Sequence, residues 1–233
     1  MRSIGSAAEL TVHAGGTGTV QAGRSVAAGF SLVELLIATA ILGILIVMGM
    51  PSLSTWVAGA KVNSMADFYL DGLRLARNGA LQKSGASRFI LTQNANGQYD
   101  WEVDWCFPTS ARPCDTGGTA RWSSTTTAAS GDINVANPSL SVFRSADSLP
   151  PVSNVSLTLT PVNTLNIYYN SQGWVNTSVQ PFLRQLRFDA AASVNPNPAT
   201  PNVRPVAIAI NLSGVAERCD PIAAAADSRA CSP

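Results

Sequence analysis

From Phe30 to Met50 the chain runs through 21 residues with a single charge, Glu34, and then meets Pro51. At ~1.5 Å per residue a helix over this run is roughly 31 Å long, the thickness of a bilayer's hydrocarbon core. The run is therefore fit to span a membrane. A carboxylate near its start is expensive in lipid, and a charge in such a place usually has a functional reason to be there. Gly29-Phe30, just before it, has the look of a processing junction. Arg24 lies before the run, and Lys61 is the first basic residue after it. Positive-inside logic then places the N-terminus in the cytoplasm and the rest outside.

Pro51 removes a backbone donor and crowds the preceding turn, so a kink or local break is expected there. The helical pattern then resumes. Val62, Ala66, Tyr69, Leu73, Ala76 and Ala80 recur at steps of three and four, with Asp67, Asp71, Arg74 and Arg77 off that stripe. This is an amphipathic helix with its apolar face on a core. A basic last turn followed by glycine predicts its end near Lys83-Ser84-Gly85. The spacing thus divides the chain into a leader (1–29), a membrane helix (30–50), an amphipathic continuation (51–84) and a β-rich domain (85–233).

After Gly85 the period changes to two. Arg88–Leu91 and Tyr99–Trp105 read as strands paired around Asn94-Ala95-Asn96-Gly97. In the second, Tyr99, Trp101, Val103 and Trp105 share one face, and Asp100, Glu102 and Asp104 share the other, as in a half-buried antiparallel strand. Further strands are expected at Val155–Leu159, Leu165–Tyr169, Leu186–Phe188 and Val206–Leu212, with a turn at Asn170-Ser171-Gln172-Gly173. The proline-rich stretch from Asn195 to Pro201 cannot join a central ladder. The stretch from Cys106 to Ser130 reads as a loop. The fold class is α+β: a long N-terminal helix packed on a mostly antiparallel sheet.

Charge and histidine content narrow the function. The net charge is +1, and Arg2, Arg24 and Glu9 before Phe30 account for all of it. The remainder is neutral and offers no global attraction to nucleic acid. The one histidine, His13, also precedes Phe30. Cleavage at Gly29-Phe30 leaves no histidine for a Ser-His-Asp, Cys-His or histidine-metal site. No catalytic motif, cofactor motif or metal-ligand spacing is present, so the expectation is a non-enzyme.

Cys106 and Cys114 form one local pair, Cys219 and Cys231 another. Neither has the tight spacing of a zinc knuckle. In the cytosol they would be free thiols; in an exported protein an even count reads as two disulfides, Cys106–Cys114 and Cys219–Cys231.

A short leader, a Gly-Phe junction, a glutamate five residues into the mature chain, an apolar helix and a mid-helix proline stand here in order. Gly29-Phe30-Ser31-Leu32-Val33-Glu34-Leu35 resembles the Gly-Phe-Thr-Leu-Ile-Glu-Leu of type IV pilins and type II secretion pseudopilins. The resemblance implies cleavage after Gly29 by prepilin peptidase and N-methylation of Phe30. It implies that Glu34 accepts a charge-assisted contact from the new N-terminus of a neighbouring subunit. Its implied partners are other pilins or pseudopilins, the inner-membrane assembly platform and inner-membrane lipid. The implied location is the bacterial inner membrane with a periplasmic domain, then a pilus or pseudopilus. The leader is long for such a signal; initiation at Val20 would shorten it without altering the mature chain.

Three further segments narrow the resemblance to the FimT/GspH group of minor pilins and pseudopilins. Leu73-Arg74-Leu75-Ala76-Arg77-Asn78-Gly79-Ala80-Leu81 is similar to its Leu-x-x-Ala-Arg-x-x-Ala. Tyr168–Gly173 resembles its strand-turn, and Ile208–Gly214 with Cys219 its C-terminal strand and cysteine. The implied function is a minor type IV pilin that primes or joins a pilus for adhesion, twitching or DNA uptake; the alternative is a minor pseudopilin of type II secretion. Some such pilins bind DNA through a Gly-Arg-x-Arg loop. The matching Gly214-Val215-Ala216-Glu217-Arg218 lacks the first arginine and adds an acid. Arg184, Arg187, Arg204 and Arg218 are the candidate DNA contacts, and solvated surface arginines are the preferred reading.

Overall fold

The computed structural model describes residues 31–108, 114, 122–134 and 136–231, with only the backbone of 47–52. The chain divides into two units, Met1–Val47 and Met48–Pro233. One helix, α1 (Leu32–Lys83), is continuous through Pro51. In the first unit its described side chains, from Leu32 to Ile46, are exposed on every face.

In the second unit the expected stripe is the buried one: Val62, Ala66, Tyr69, Leu73, Ala76 and Ala80 are all fully buried. Asp67, Asp71 and Arg74 are exposed. The helix ends at Lys83 in a Schellman arrangement, with Gly85 N–H donating to Ala80 O at 3.2 Å and Ser84 N–H to Leu81 O at 3.4 Å. Ser84, at φ 51°, takes the left-handed position that glycine usually fills. Gly85 is needed for another reason: a Cβ there would lie 2.9 Å from Cys106 O.

Among the described residues, eight antiparallel strands follow in two four-stranded sheets. They are β1 (Ala86–Gln93), β2 (Tyr99–Cys106), β3 (Val142–Arg144), β4 (Val155–Thr160), β5 (Asn166–Tyr169), β6 (Gln185–Ala190), β7 (Val206–Ile210) and β8 (Ala216–Cys219). The orders are β3-β2-β1-β5 and β4-β6-β7-β8. The α+β class is as the pattern predicts, but the sheet is divided. The segment after β5 laces the two halves: Asn176 N–H donates to Tyr168 O at 2.7 Å and Val175 N–H to Leu212 O at 3.1 Å. Tyr69 spans both as well. Its ring stacks on Phe188 of β6 at 5.6 Å, and its hydroxyl donates to Tyr99 O of β2 at 2.7 Å.

Two helix glycines admit the indoles of β2. A Cβ on Gly72 would lie 2.6 Å from Phe89 and 2.9 Å from Trp101; one on Gly79 would lie 2.0 Å from Trp105. Trp101 and Trp105 share a strand face and the two glycines share a helix face, so each ring rests in a notch.

The opposite face of β2 is not simply solvated. Asp104 is buried, and its Oδ2 accepts from Arg88 Nε at 2.6 Å. The Arg88 guanidinium lies over the Trp122 ring at 4.6 Å. The stretch from Cys106 to Ser130, expected as loop, has no strand among its described residues after Cys106, and its Trp122 covers this face. Farther on, β3 pairs with β2, and the buried hydroxyls of Ser123 and Ser141 lie 2.8 Å apart.

Candidate assembly site

Glu34 lies in the first turn of α1, where a carboxylate interacts favourably with the helix dipole. It is exposed and surrounded by apolar neighbours: Leu32 is 79% exposed, and Val33, Leu35 and Leu36 are each 62% exposed. An apolar surface on all faces of a helix is a surface that lipid or protein covers. Gly29 and Phe30 lie outside the described residues. Among the described residues no helix is long and apolar enough to cross a membrane. The expected 30–50 span reaches Phe30 and the side chains of 47–50, which are outside them.

The segment from Arg24 to Met50 matches a family model. The chain carries a prokaryotic N-terminal methylation motif. The motif supports a type IV pilin-like or pseudopilin protein, a class of structural subunits that prepilin peptidase processes and that assemble into filaments. It covers 27 residues, from six residues before Phe30 to the end of the apolar run that bears Glu34. No curated protein and no solved structure matches the chain.

Beyond the methylation motif, the three shorter segments meet at one place. Asn170 heads a turn in which its Oδ1 accepts from Gln172 N–H and Trp174 N–H, both at 3.0 Å. Asn211 heads a second such turn, its Oδ1 accepting from Val215 N–H at 3.0 Å. Each turn closes on a glycine of positive φ, Gly173 at 72° and Gly214 at 78°. A Cβ on Gly214 would lie 2.0 Å from Gly173 O, and one on Gly173 would lie 3.0 Å from Leu81 of α1. Arg77 Nε, one turn earlier, donates to Ser213 O at 3.3 Å. Leu73–Leu81, Tyr168–Gly173 and Ile208–Gly214 are thus parts of one junction.

The cysteines pair as expected, Cys106 with Cys114 and Cys219 with Cys231. The second bridge closes the alanine-rich tail, whose Asp220 N–H donates to Arg229 O at 2.7 Å. The Arg229 hydrogen bond is the main cause holding the Asp227 carboxyl at about 2.

The four arginines do not form a basic patch. Arg218 stands in register with Ile208 on the helix-facing side of its sheet, pairs with Asp67 and donates to Asn63 O at 3.0 Å. Arg187 lies on the other side and makes two bonds of 2.8 Å to Asp189, which raise its pKa. Arg204 pairs with Asp220. Arg184 lies over the Phe182 ring at 5.0 Å. Three of the four cations thus already face a carboxylate, and none of those three is free to neutralise phosphate at full strength.

Sequence reasoning missed Gly72, Gly79, Gly173 and Gly214 as contact positions. The helix pair had a cue, since glycine inside a strong helical pattern costs stability unless a neighbour needs the space.

Proposed function

We propose that the chain is a minor pilin of the FimT/GspH-like kind, cut after Gly29, methylated on Phe30 and tethered by the apolar part of α1 in the bacterial inner membrane until it enters a filament. Glu34 carries the reading. A carboxylate exposed in the first turn of an all-round apolar helix, inside the methylation motif, is unsatisfied in lipid and satisfied by a neighbour's Phe30 ammonium. Assembly offsets its burial and fixes the axial position of the incoming subunit. The junction of the three segments supports the FimT/GspH assignment. The remaining partners are prepilin peptidase and the inner-membrane assembly platform. The same geometry would serve a minor pseudopilin; loss of pili or of exoprotein secretion on deletion separates the two.

Mass spectrometry of the mature protein tests the reading directly. The expected first residue is N-methylated Phe30, and an intact Met1 in the membrane fraction overturns it. Glu34→Ala should leave processing intact and lower incorporation into filaments; unchanged incorporation removes the docking role.

A further inference from the structure

Among the described residues the outer edge of β4 is open, and its chemistry suits a copy of itself. β4 ends the order β4-β6-β7-β8. Ala191 N–H donates to Asn154 O at 2.8 Å, and across β6 Ile210 N–H donates to Arg184 O at 2.8 Å. Both bonds fix the same phase: even residues of β4 turn their backbone groups toward β6. Val155, Leu157 and Leu159 therefore turn theirs outward. The N–H and C=O of Leu157 and Leu159 bond to no described residue, while Val155 N–H takes Pro151 O at 3.2 Å.

Natural edges are usually guarded by lysine, an internal proline or a bulge. β4, Val-Ser-Leu-Thr-Leu-Thr, has none of these. No charged residue occurs from Ser148 to Leu183. That neutrality decides the occupant. Two-fold pairing sets each strand against its own charges, and like charges directly opposite one another destabilise a sheet.

We propose that β4 pairs antiparallel with β4 of a second copy about a two-fold axis at Leu157. Leu157 then faces its own copy, and Val155 faces Leu159, all with outward backbone groups. Ser156 faces Thr158 in the positions between hydrogen-bonded pairs, where side chains approach most closely. Val152 and Val162, 47% and 76% exposed, stand five residues either side of the axis and meet each other's copies. The contact is isologous and joins two four-stranded sheets into one of eight.

The test uses the full chain in detergent with Ser156→Cys and Thr158→Cys together, the native cysteines being paired. Mild oxidation should give a disulfide-linked dimer joined through the two introduced thiols, at least tenfold more than Thr158→Cys alone, which is offset across the axis. Adding Leu157→Pro removes an outward donor along with a half-buried side chain and leaves the bonds to β6, so it should abolish the dimer with the circular dichroism spectrum retained. Cross-linking no greater than that of Thr200→Cys on the exposed proline-rich loop overturns the proposal. So does equal cross-linking by the double variant and Thr158→Cys alone.

Discussion

Gly214 faces the carbonyl of Gly173 so closely that a Cβ in its place would lie 2.0 Å from that oxygen. Backbone, not a flexible side chain, is the obstacle. Gly214 also holds φ 78°, which L side chains rarely adopt. Steric and conformational costs of ~1–3 kcal/mol each then add at one position. Gly214→Ala should lower stability by about 3 kcal/mol or more, measured by denaturant unfolding followed through tryptophan fluorescence. A loss under about 1 kcal/mol would show that the two turns separate without cost.

Two helix glycines should respond with opposite sign. At Gly79 a Cβ would lie 2.0 Å from Trp105, whose Nε1 donates to Leu140 O at 3.0 Å and so resists moving. Gly79→Ala should cost about 1–3 kcal/mol. At Gly59 the nearest atom, Val203 Cγ1, is 3.9 Å away. Gly59→Ala should stabilise by up to about 1 kcal/mol through helix propensity. Thermal melts of the two variants, read side by side, check the sign.

The parts that were legible in the sequence are those set by local periodicity. The Val62–Ala80 stripe and the turn at Asn94–Gly97 follow from spacing and turn chemistry alone. Two features depended on long-range pairing and were not legible. β8 is four residues, Ala-Glu-Arg-Cys, with no apolar alternation, and it becomes a strand because β7 offers it an edge. Asp104 looks like a solvent-facing residue until the stretch after Cys106 returns to cover it. At the candidate site, Glu34 was visible because its charge breaks an apolar run. The Gly173–Gly214 contact joins segments some forty residues apart, and no local pattern records it.

Removing the Cys219–Cys231 bridge should loosen the end of β8. In the chain-entropy picture a loop of this length is worth about 3 kcal/mol. Cys219→Ser with Cys231→Ser should lower the unfolding free energy by about that amount. Proteolysis should then cut within 220–230 before the rest of the domain. Loss of the whole domain's protection at the same rate would instead make the bridge essential to folding.

Glu102 gives a pH dependence whose sign is set by burial. Its carboxyl is pushed above the ordinary carboxylate range, first by desolvation and then by the negative charge of Asp104 beside it. Arg88 and Ser141 oppose the shift without cancelling it. When protonated, Glu102 donates to Asp104, whose Oδ1 is buried and otherwise without a partner. The folded state therefore binds this proton more tightly than the unfolded chain. Between the ordinary glutamate value of 4.5 and the raised folded value, the folded form holds more protons, and stability falls as pH rises. The favourable contribution is complete in acid and is lost as pH climbs through the folded value. Glu102→Gln keeps the donor and removes the titration. It should raise the melting temperature at neutral pH, and the gain should shrink toward zero below pH 4.5. A variant whose gain is constant across that range would show that Glu102 does not couple to folding; a gain that grows in acid would reverse the assigned direction.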